Sequence, residues 1–481
     1  MKELFSSRYF ALIFIPVSFI FILIYSWATS PLFLGDGLDS SIFKTIGLGL
    51  TQGKIPYTDL FDHKGGLLFL IQAAGYVTGT GRWGLFIIQV LFLTLTLMSI
   101  YSSASLFIEN KKAFGATMAC LLFYTVFIES GNQCETYMLP FTGTALYLAL
   151  RFIKSGAYRH PIGYSLIYGL CFAAAFWIRP NDAVSQVGAI MAGIFILLVV
   201  RKEYTNALGN AIAFLGGAAA ASFPLMAFFS YHDSLYGLLE GTFLYNMKYV
   251  SEGGMPSIEM ILIPLVIFGS IILMNFLKKE KDLNYIFIPM LILTLLLIGK
   301  RNYPHYLIIM VVPSAILFSY IIREKWRIVL SILLIGIAIP SFRQYRFISA
   351  SFKAREQIET FFSQTERIIS HIPEDKRDEV WSLNLLLSSS SENPNVISTL
   401  GAILRCGITP CNRIFVPFHL NTFPEEEKIF TNMPEWVLAD PTTNGFDEYA
   451  DFLSRNYTVI DSTDSLSVGD LVLYRLNDRD L

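Results

Sequence analysis

Apolar runs of roughly membrane-spanning length recur from Tyr9 to Pro340, with few charges inside them. A run of about 20 apolar residues crosses a hydrocarbon core as one helix, because a helix satisfies its own backbone where no water is present. A chain that repeats such runs folds as a bundle of membrane helices. The composition agrees: 53% of the 481 residues are hydrophobic and 15% are charged, whereas a soluble domain carries about 25% charged residues. After Ser341 the charge density returns to that of a soluble domain. The net charge of −2 lacks the basic excess of a nucleic-acid partner.

Eleven spans are predicted, at 9–28, 83–108, 113–128, 138–153, 162–178, 183–200, 206–229, 258–276, 285–299, 306–322 and 328–340. The first follows Lys2 and Arg8 as a signal peptide would, but its apolar part, Phe10 to Trp27, is long for one and reads as a retained helix. One set of loops holds the basic clusters: Lys111 and Lys112, Lys154 and Arg159, Arg201 and Lys202, Lys278 to Lys281, and Arg323 to Arg327. The other set holds acids, among them Asp36, Asp39, Asp59, Asp62, Glu129, Glu135, Asp182, Asp233, Glu240 and Glu252. The positive-inside rule then sets the N-terminus in the cytoplasm and the C-terminal part outside, in an integral plasma (inner) membrane protein.

The chain divides into a membrane part, 1–340, and an outer α/β domain, 341–481. Within the first outer loop, 29–82, Asp39 caps a predicted interfacial helix from Ser40 to about Leu50, with Ile42, Phe43, Ile46 and Leu50 on one face. Gly65 to Val77 is too short to span comfortably and reads as a second interfacial or re-entrant segment. In the outer domain, 350–371 is helical in pattern. Strands are predicted at Val380–Leu385, Arg413–Pro417, Trp436–Ala439, Tyr457–Asp461 and Leu471–Leu476. Cys406 and Cys411 lie close in sequence, where an outer location permits a disulfide that spacing alone does not establish. No internal repeat and no metal-ligand spacing is present; no cofactor is implied, and a divalent metal is not indicated.

Charged groups of both signs gather on the outer side. The acids are led by Asp39 and Asp36, joined by Glu135 and Asp62; the bases are Lys64, Arg179, Lys300 and Arg301, with His63 and His305 beside them. Such a cavity suits a substrate with an anionic head and an apolar tail. The first loop reads Asp36-Gly-Leu-Asp39-Ser-Ser-Ile-Phe, then Gly53-Lys-Ile-Pro-Tyr57, then Asp62-His63-Lys64-Gly-Gly-Leu-Leu-Phe69. This resembles the first outer loop of the GT-C membrane glycosyltransferases (glycosyltransferase family 39-like), which include protein O-mannosyltransferases and lipid A aminoarabinose transferases. There a leading acid, a short helix and a Lys-Pro-Pro-Leu segment follow in order. Asp39 matches the leading acid and Lys64 the lysine, while Ser40 stands for the usual Glu and Gly65-Gly66 for Pro-Pro. Weaker matches are Glu135 opening the fourth span, Arg179-Pro180 ending the fifth, and Arg301-Asn-Tyr-Pro-His-Tyr306 entering a late one.

The resemblance implies a mainly α, GT-C-like bundle of about 11 helices, plus the C-terminal α/β domain. It also implies an inverting hexosyl- or pentosyltransferase whose donor is a polyprenyl-phosphate sugar and whose acceptor is a lipid, glycan or protein. Asp39, with Glu135 as a second candidate, takes the catalytic carboxylate's place. Lys64, Arg179, Lys300, Arg301 and His305 are candidates for the lipid phosphate, with Asp36, Asp62 and His63 accessory. A helix cap is the plain alternative for Asp39, and a snorkelling anchor the alternative for Arg179 and Arg301. Two other functions compete: a flippase or transporter of a lipid-linked glycan, which calls for midplane charges and paired broken helices, and a non-catalytic membrane scaffold.

Overall fold

The computed structural model describes residues 7–77, 81–247, 255–298, 302–324, 355–383, 399–416, 432–441, 446–463 and 470–477, with isolated positions at 331, 335–336, 349 and 352–353. Helix α1 is Ser7–Tyr25, and two short helices follow, α2 (Leu38–Thr51) and α3 (Gly66–Val77). Then come α4 (Arg82–Ser105), α5 (Asn110–Tyr124), α6 (Cys134–Lys154), α7 (Ile162–Phe176), α8 (Pro180–Val200) and α9 (Tyr204–Tyr231). The described part of the bundle closes with α10 (Ile258–Leu277), α11 (Asn284–Leu297) and α12 (Pro304–Arg323). Ten of the predicted spans thus appear as helices, and the eleventh, 328–340, lies outside the described residues but for 331 and 335–336.

Five of these helices, α4, α8, α9, α10 and α12, are long and apolar enough to cross a membrane. Burial sorts them. The apolar window of α12 is 89% buried and that of α9 only 17%, so α12 runs through the centre of the bundle and α9 along its rim. At one end of the bundle the basic loops meet acids: Lys154 with Glu280 (2.9 Å), Arg201 with Asp282 (2.5 Å) and Lys278 with Glu324 (2.5 Å). The loops grouped on one side by their lysines and arginines are therefore neighbours in space.

The first loop forms the two short helices expected of it, with one correction. Helix α2 begins one residue before Asp39, and its N-cap is Gly37 with no side-chain cap. Asp39 sits in the first turn instead, which frees its carboxylate to point away from the helix. Ile42, Phe43 and Ile46 are buried as expected, in a core shared with Leu400 and Ile403 of the C-terminal domain among others.

Among the described residues the C-terminal domain carries a four-stranded sheet in the order β1-β2-β4-β3: β1 (Val380–Leu383), β2 (Trp436–Ala439), β3 (Tyr457–Ser462) and β4 (Val472–Leu476). Strands β1 and β2 are parallel and the other pairs antiparallel. Helices α13 (Arg355–Ser370), α14 (Thr399–Arg405) and α15 (Asp447–Asn456) complete the described part. The predicted strand at Arg413–Pro417 is not one over its described residues. The side-chain amide of Asn412 pairs with the backbone N–H and C=O of Ser382 (2.9 Å each), taking the ladder positions beside β1. Arg413 then turns toward the membrane part: its carbonyl accepts from Phe61 N–H (2.9 Å), and its Nε donates to the Tyr57 carbonyl (2.6 Å). Cys406 and Cys411 are free thiols.

Candidate active site

Three chain segments converge on the ends of α6, α7 and α8. Glu135 lies in the first turn of α6, where the helix dipole favours a carboxylate. Arg179 precedes Pro180, whose fixed φ starts α8. Arg179 bonds Glu135 and reaches Asp182, one turn on, at 3.1 Å, while its guanidinium lies 3.7 Å from the Tyr306 ring centroid. Glu135 is fully buried, and its other oxygen accepts from the Cys134 thiol (3.2 Å). Arg179 is therefore occupied by two carboxylates and a ring face.

The Lys64 segment is docked against the same helix end. Gly65 N–H donates to Ile178 O (3.1 Å) and Leu67 N–H to Trp177 O (2.9 Å), so the loop satisfies carbonyls that the end of α7 leaves open. The approach requires glycine, since a Cβ on Gly65 would lie 2.1 Å from the Trp177 carbonyl oxygen. The Lys64 backbone is fixed on both sides: its N–H donates to Asp62 Oδ1 (3.0 Å), and its carbonyl accepts from Tyr57 OH (2.7 Å). Its ammonium donates to His63 Nε2 (2.7 Å), which leaves the ring proton of a neutral His63 on Nδ1, facing Asp62 at 3.7 Å. Among the described residues no carboxylate lies within ion-pair distance of the Lys64 ammonium. Burial works to lower the Lys64 pKa, but the negative charges of Asp62 and Asp39 outweigh it and hold it above the ordinary lysine value.

Asp39 faces this group from α2. Its carboxylate lies 3.6 Å from His305 Nε2, and His305 Nδ1 lies 3.1 Å from Glu129 Oε2. Burial raises the Asp39 carboxyl above its ordinary value. Glu129 and Glu135 push the same way, and His305 and Lys64 pull against it. His305 rides at the start of the central helix α12, stacked on Tyr303 (5.5 Å between centroids).

Asp36 is placed elsewhere, in a buried knot behind α2. It pairs with Lys44 and with Arg82 (3.0 Å), and Arg82 also donates to five backbone carbonyls between Trp27 and Gly35. Burial works to raise Asp36, and the cations Lys44 and Arg82 more than reverse it. The Lys44 ammonium is pushed by burial down to about 8. Asp39, Lys64, His63, Asp62, Glu135, Arg179 and His305 are thus gathered in one region, while Lys300 and Arg301 lie outside the described residues. Asp182, Glu129, Cys134 and Tyr306 join the cluster without having been singled out as site residues. For Asp182 the signal was available, since it follows Arg179 by three residues at a Pro-started helix. Among the described residues no group of three or more His, Cys, Asp or Glu side chains could hold a metal ion.

Known proteins place this architecture. A family model described as "Putative competence-induced protein Ccs4 N-terminal domain" matches residues 17–330. No curated protein matches the chain. Among solved structures, ArnT from Cupriavidus metallidurans in the apo state is similar over 96% of this chain and 97% of that one, with 11% identity and a TM-score of 0.55. The Archaeoglobus fulgidus oligosaccharyltransferase tethered with an acceptor peptide aligns over 100% of this chain and 75% of that one, at 13% identity and a TM-score of 0.47. The archaeal oligosaccharyltransferase AglB of the same organism, in complex with an inhibitory peptide and a dolichol-phosphate, aligns over 98% and 75%, at 12% identity and a TM-score of 0.44. At such identities likeness speaks to the fold, and the ArnT alignment carries it. The chain has the GT-C architecture, a polytopic membrane bundle followed by a C-terminal α/β part.

Proposed function

The chain belongs to the Ccs4 N-terminal-domain family, a description that names no chemistry, and from the site itself we propose an inverting glycosyltransferase. Its donor is a hexose or pentose on a polyprenyl phosphate, and its acceptor is a lipid, glycan or protein at the extracytoplasmic face. The membrane part, 1–340, holds the site, with the N-terminus cytoplasmic and the 341–481 domain outside.

The observation that carries this reading is the gathering of Asp39 and Lys64 in one site: Asp39 lies 3.6 Å from His305, Lys64 donates to His63, and among the described residues no carboxylate is within ion-pair distance of the Lys64 ammonium, while each group perturbs the other's titration. Asp39 accepts the proton of the acceptor hydroxyl as its oxygen attacks the anomeric carbon. The bond from that carbon to the phosphate oxygen breaks, and its electron pair leaves on the phosphate. Lys64 stabilises the charge that grows there. One displacement with one base inverts the anomeric centre; a retaining route uses a nucleophile and an acid/base pair. Arg179, held by Glu135 and Asp182, contributes positive potential and fixes the wall of the site. Asp36 holds α2, and through it Asp39, in place.

The test supplies purified protein with labelled polyprenyl-phosphate sugars and candidate acceptors, beside Asp39→Asn. Covalent transfer that stops in the variant is the expected result. Undiminished transfer by the variant removes Asp39 from the role of base. Movement of the lipid-linked sugar across the bilayer without covalent transfer replaces the enzyme by a transporter.

A further inference from the structure

Each turnover of the reaction proposed above leaves a proton on Asp39, and that proton must depart before the next. The Asp39 side chain is 36% exposed, and in the reaction proposed above this open side is the one that receives the acceptor hydroxyl. Its other side meets His305, only 7% exposed, and beyond His305 stands Glu129, 46% exposed. The three residues come from different elements, α2, the start of α12 and the loop before α6, and they form a line from the reacting centre to solvent. We propose that His305 and Glu129 are a proton exit path for Asp39.

The steps balance. The acceptor O–H gives its proton to Asp39. The carboxylic acid passes it to Nε2 of neutral His305, which becomes an imidazolium. Nδ1 releases its own proton to Glu129 across the 3.1 Å contact, and Glu129 hands it to water. The ring then re-equilibrates its tautomer between turnovers. The 3.6 Å from Asp39 to Nε2 closes by a few tenths of an ångström when the site is filled, as catalytic contacts do on substrate binding. Ring position is set by neighbours that do not themselves carry the proton. Tyr303 stacks on the imidazole at 5.5 Å and Tyr306 meets it edge-on at 4.9 Å. The charges acting on His305 include the carboxylates of Glu135 on α6 and Asp182 on α8, besides those of Asp39 and Glu129 already in the path. His305 was a phosphate candidate by sequence; between two carboxylates it is better placed to move a proton than to hold an anion.

This inference rests on the transferase reading, and the experiment separates the two. Initial rates are measured in nanodiscs with a panel of tritiated hexosyl and pentosyl polyprenyl phosphates, for wild type, His305→Ala and Glu129→Gln. The relay predicts that kcat falls about 10-fold or more in both variants while KM for the donor changes little, and that the solvent isotope effect on kcat rises. Added imidazoles restore His305→Ala with rates that follow their pKa. A merely structural histidine gives rescue that ignores imidazole pKa, or a rise in KM at unchanged isotope effect, and either overturns the relay. An active wild type whose variants match it overturns the relay alone. A wild type that transfers nothing overturns the transferase reading and the relay with it.

Discussion

Gly65→Ala tests whether the docking of the Lys64 loop on α7 sets the geometry of the site. The added Cβ would lie 2.1 Å from the Trp177 carbonyl oxygen, 2.2 Å from its carbon and 2.8 Å from its Cα. All three are backbone atoms, so no rotamer change relieves the clash. Ordinary contact begins at 3.4 Å, and the loop must back away by about 1.3 Å, a displacement of the size that costs about 100-fold in rate when it separates catalytic groups. Both docking bonds, Gly65 N–H to Ile178 O and Leu67 N–H to Trp177 O, stretch with it, and Lys64 moves off from the Arg179 cluster. The expected result is a fall in kcat/KM of about 100-fold, with thermal stability reduced by only about 1–3 kcal/mol for the overpacking. Gly66→Ala is the control, because the atom met there is the ring edge of Phe229 at 2.5 Å, a side chain that can turn. It should lose less activity. Transfer rates of Gly65→Ala equal to wild type in folded protein would refute the argument that this contact aligns the cations.

Three further outcomes follow from the same geometry. Asp39→Asn preserves shape and removes the proposed base, and transfer should drop about 100- to 10,000-fold, read as product formed per unit of folded protein. The base form of Asp39 is the deprotonated one and its pKa is raised, so wild-type kcat/KM should climb with pH through a limb lying above the ordinary carboxylate range. Lys64 pulls that pKa down, so the residual activity of Lys64→Met should show the limb at still higher pH, with a raised donor KM. Arg82→Gln leaves Asp36 buried with Lys44 as its remaining ion-pair partner among the described residues, and takes from five carbonyls the donor they had. Removing one partner of a buried ion pair costs about 3–5 kcal/mol, measurable as a lowered unfolding midpoint in detergent, where Asp59→Asn on the same loop should cost far less.

The parts of this molecule legible in its sequence are those that the bilayer dictates locally. A lipid solvent forces each span to satisfy its own backbone, so run length alone located ten helices, and lysine and arginine grouped loops that do meet, as Lys154–Glu280 and Arg201–Asp282 demonstrate. The short helices of the first loop were legible from periodicity and length. What was not legible depends on which helix ends come together. Arg179 reaches Glu135 across 44 residues and His305 reaches Glu129 across 176, and nothing in either local sequence names the partner. The error at Arg413–Pro417 has the same origin. Its apolar residues Ile414, Phe415 and Val416 are buried, as a strand's would be, but they are buried in the core shared with Tyr57, Phe61 and Leu68. A side chain, Asn412, had already taken the hydrogen bonds that a fifth strand would have used.

That error also bears on how the two parts of the chain cooperate. Because Arg413 spends its backbone carbonyl on Phe61 and its guanidinium on Tyr57 and Glu240 (3.5 Å), the C-terminal part grips the stretch that leads to Lys64. Tyr57 in turn holds the Lys64 carbonyl. At the other end of the same loop α14 lies against α2, and Lys54 donates to the carbonyls of Thr409 (3.1 Å) and Pro410 (2.7 Å). A loop between two membrane helices that carries both Asp39 and Lys64 would lose considerable conformational entropy on ordering. These contacts hold both ends of it on a folded α/β layer before any substrate arrives. In the proposed reaction the C-terminal domain is then part of the site's preorganisation, which electrostatic stabilisation of a departing phosphate would require.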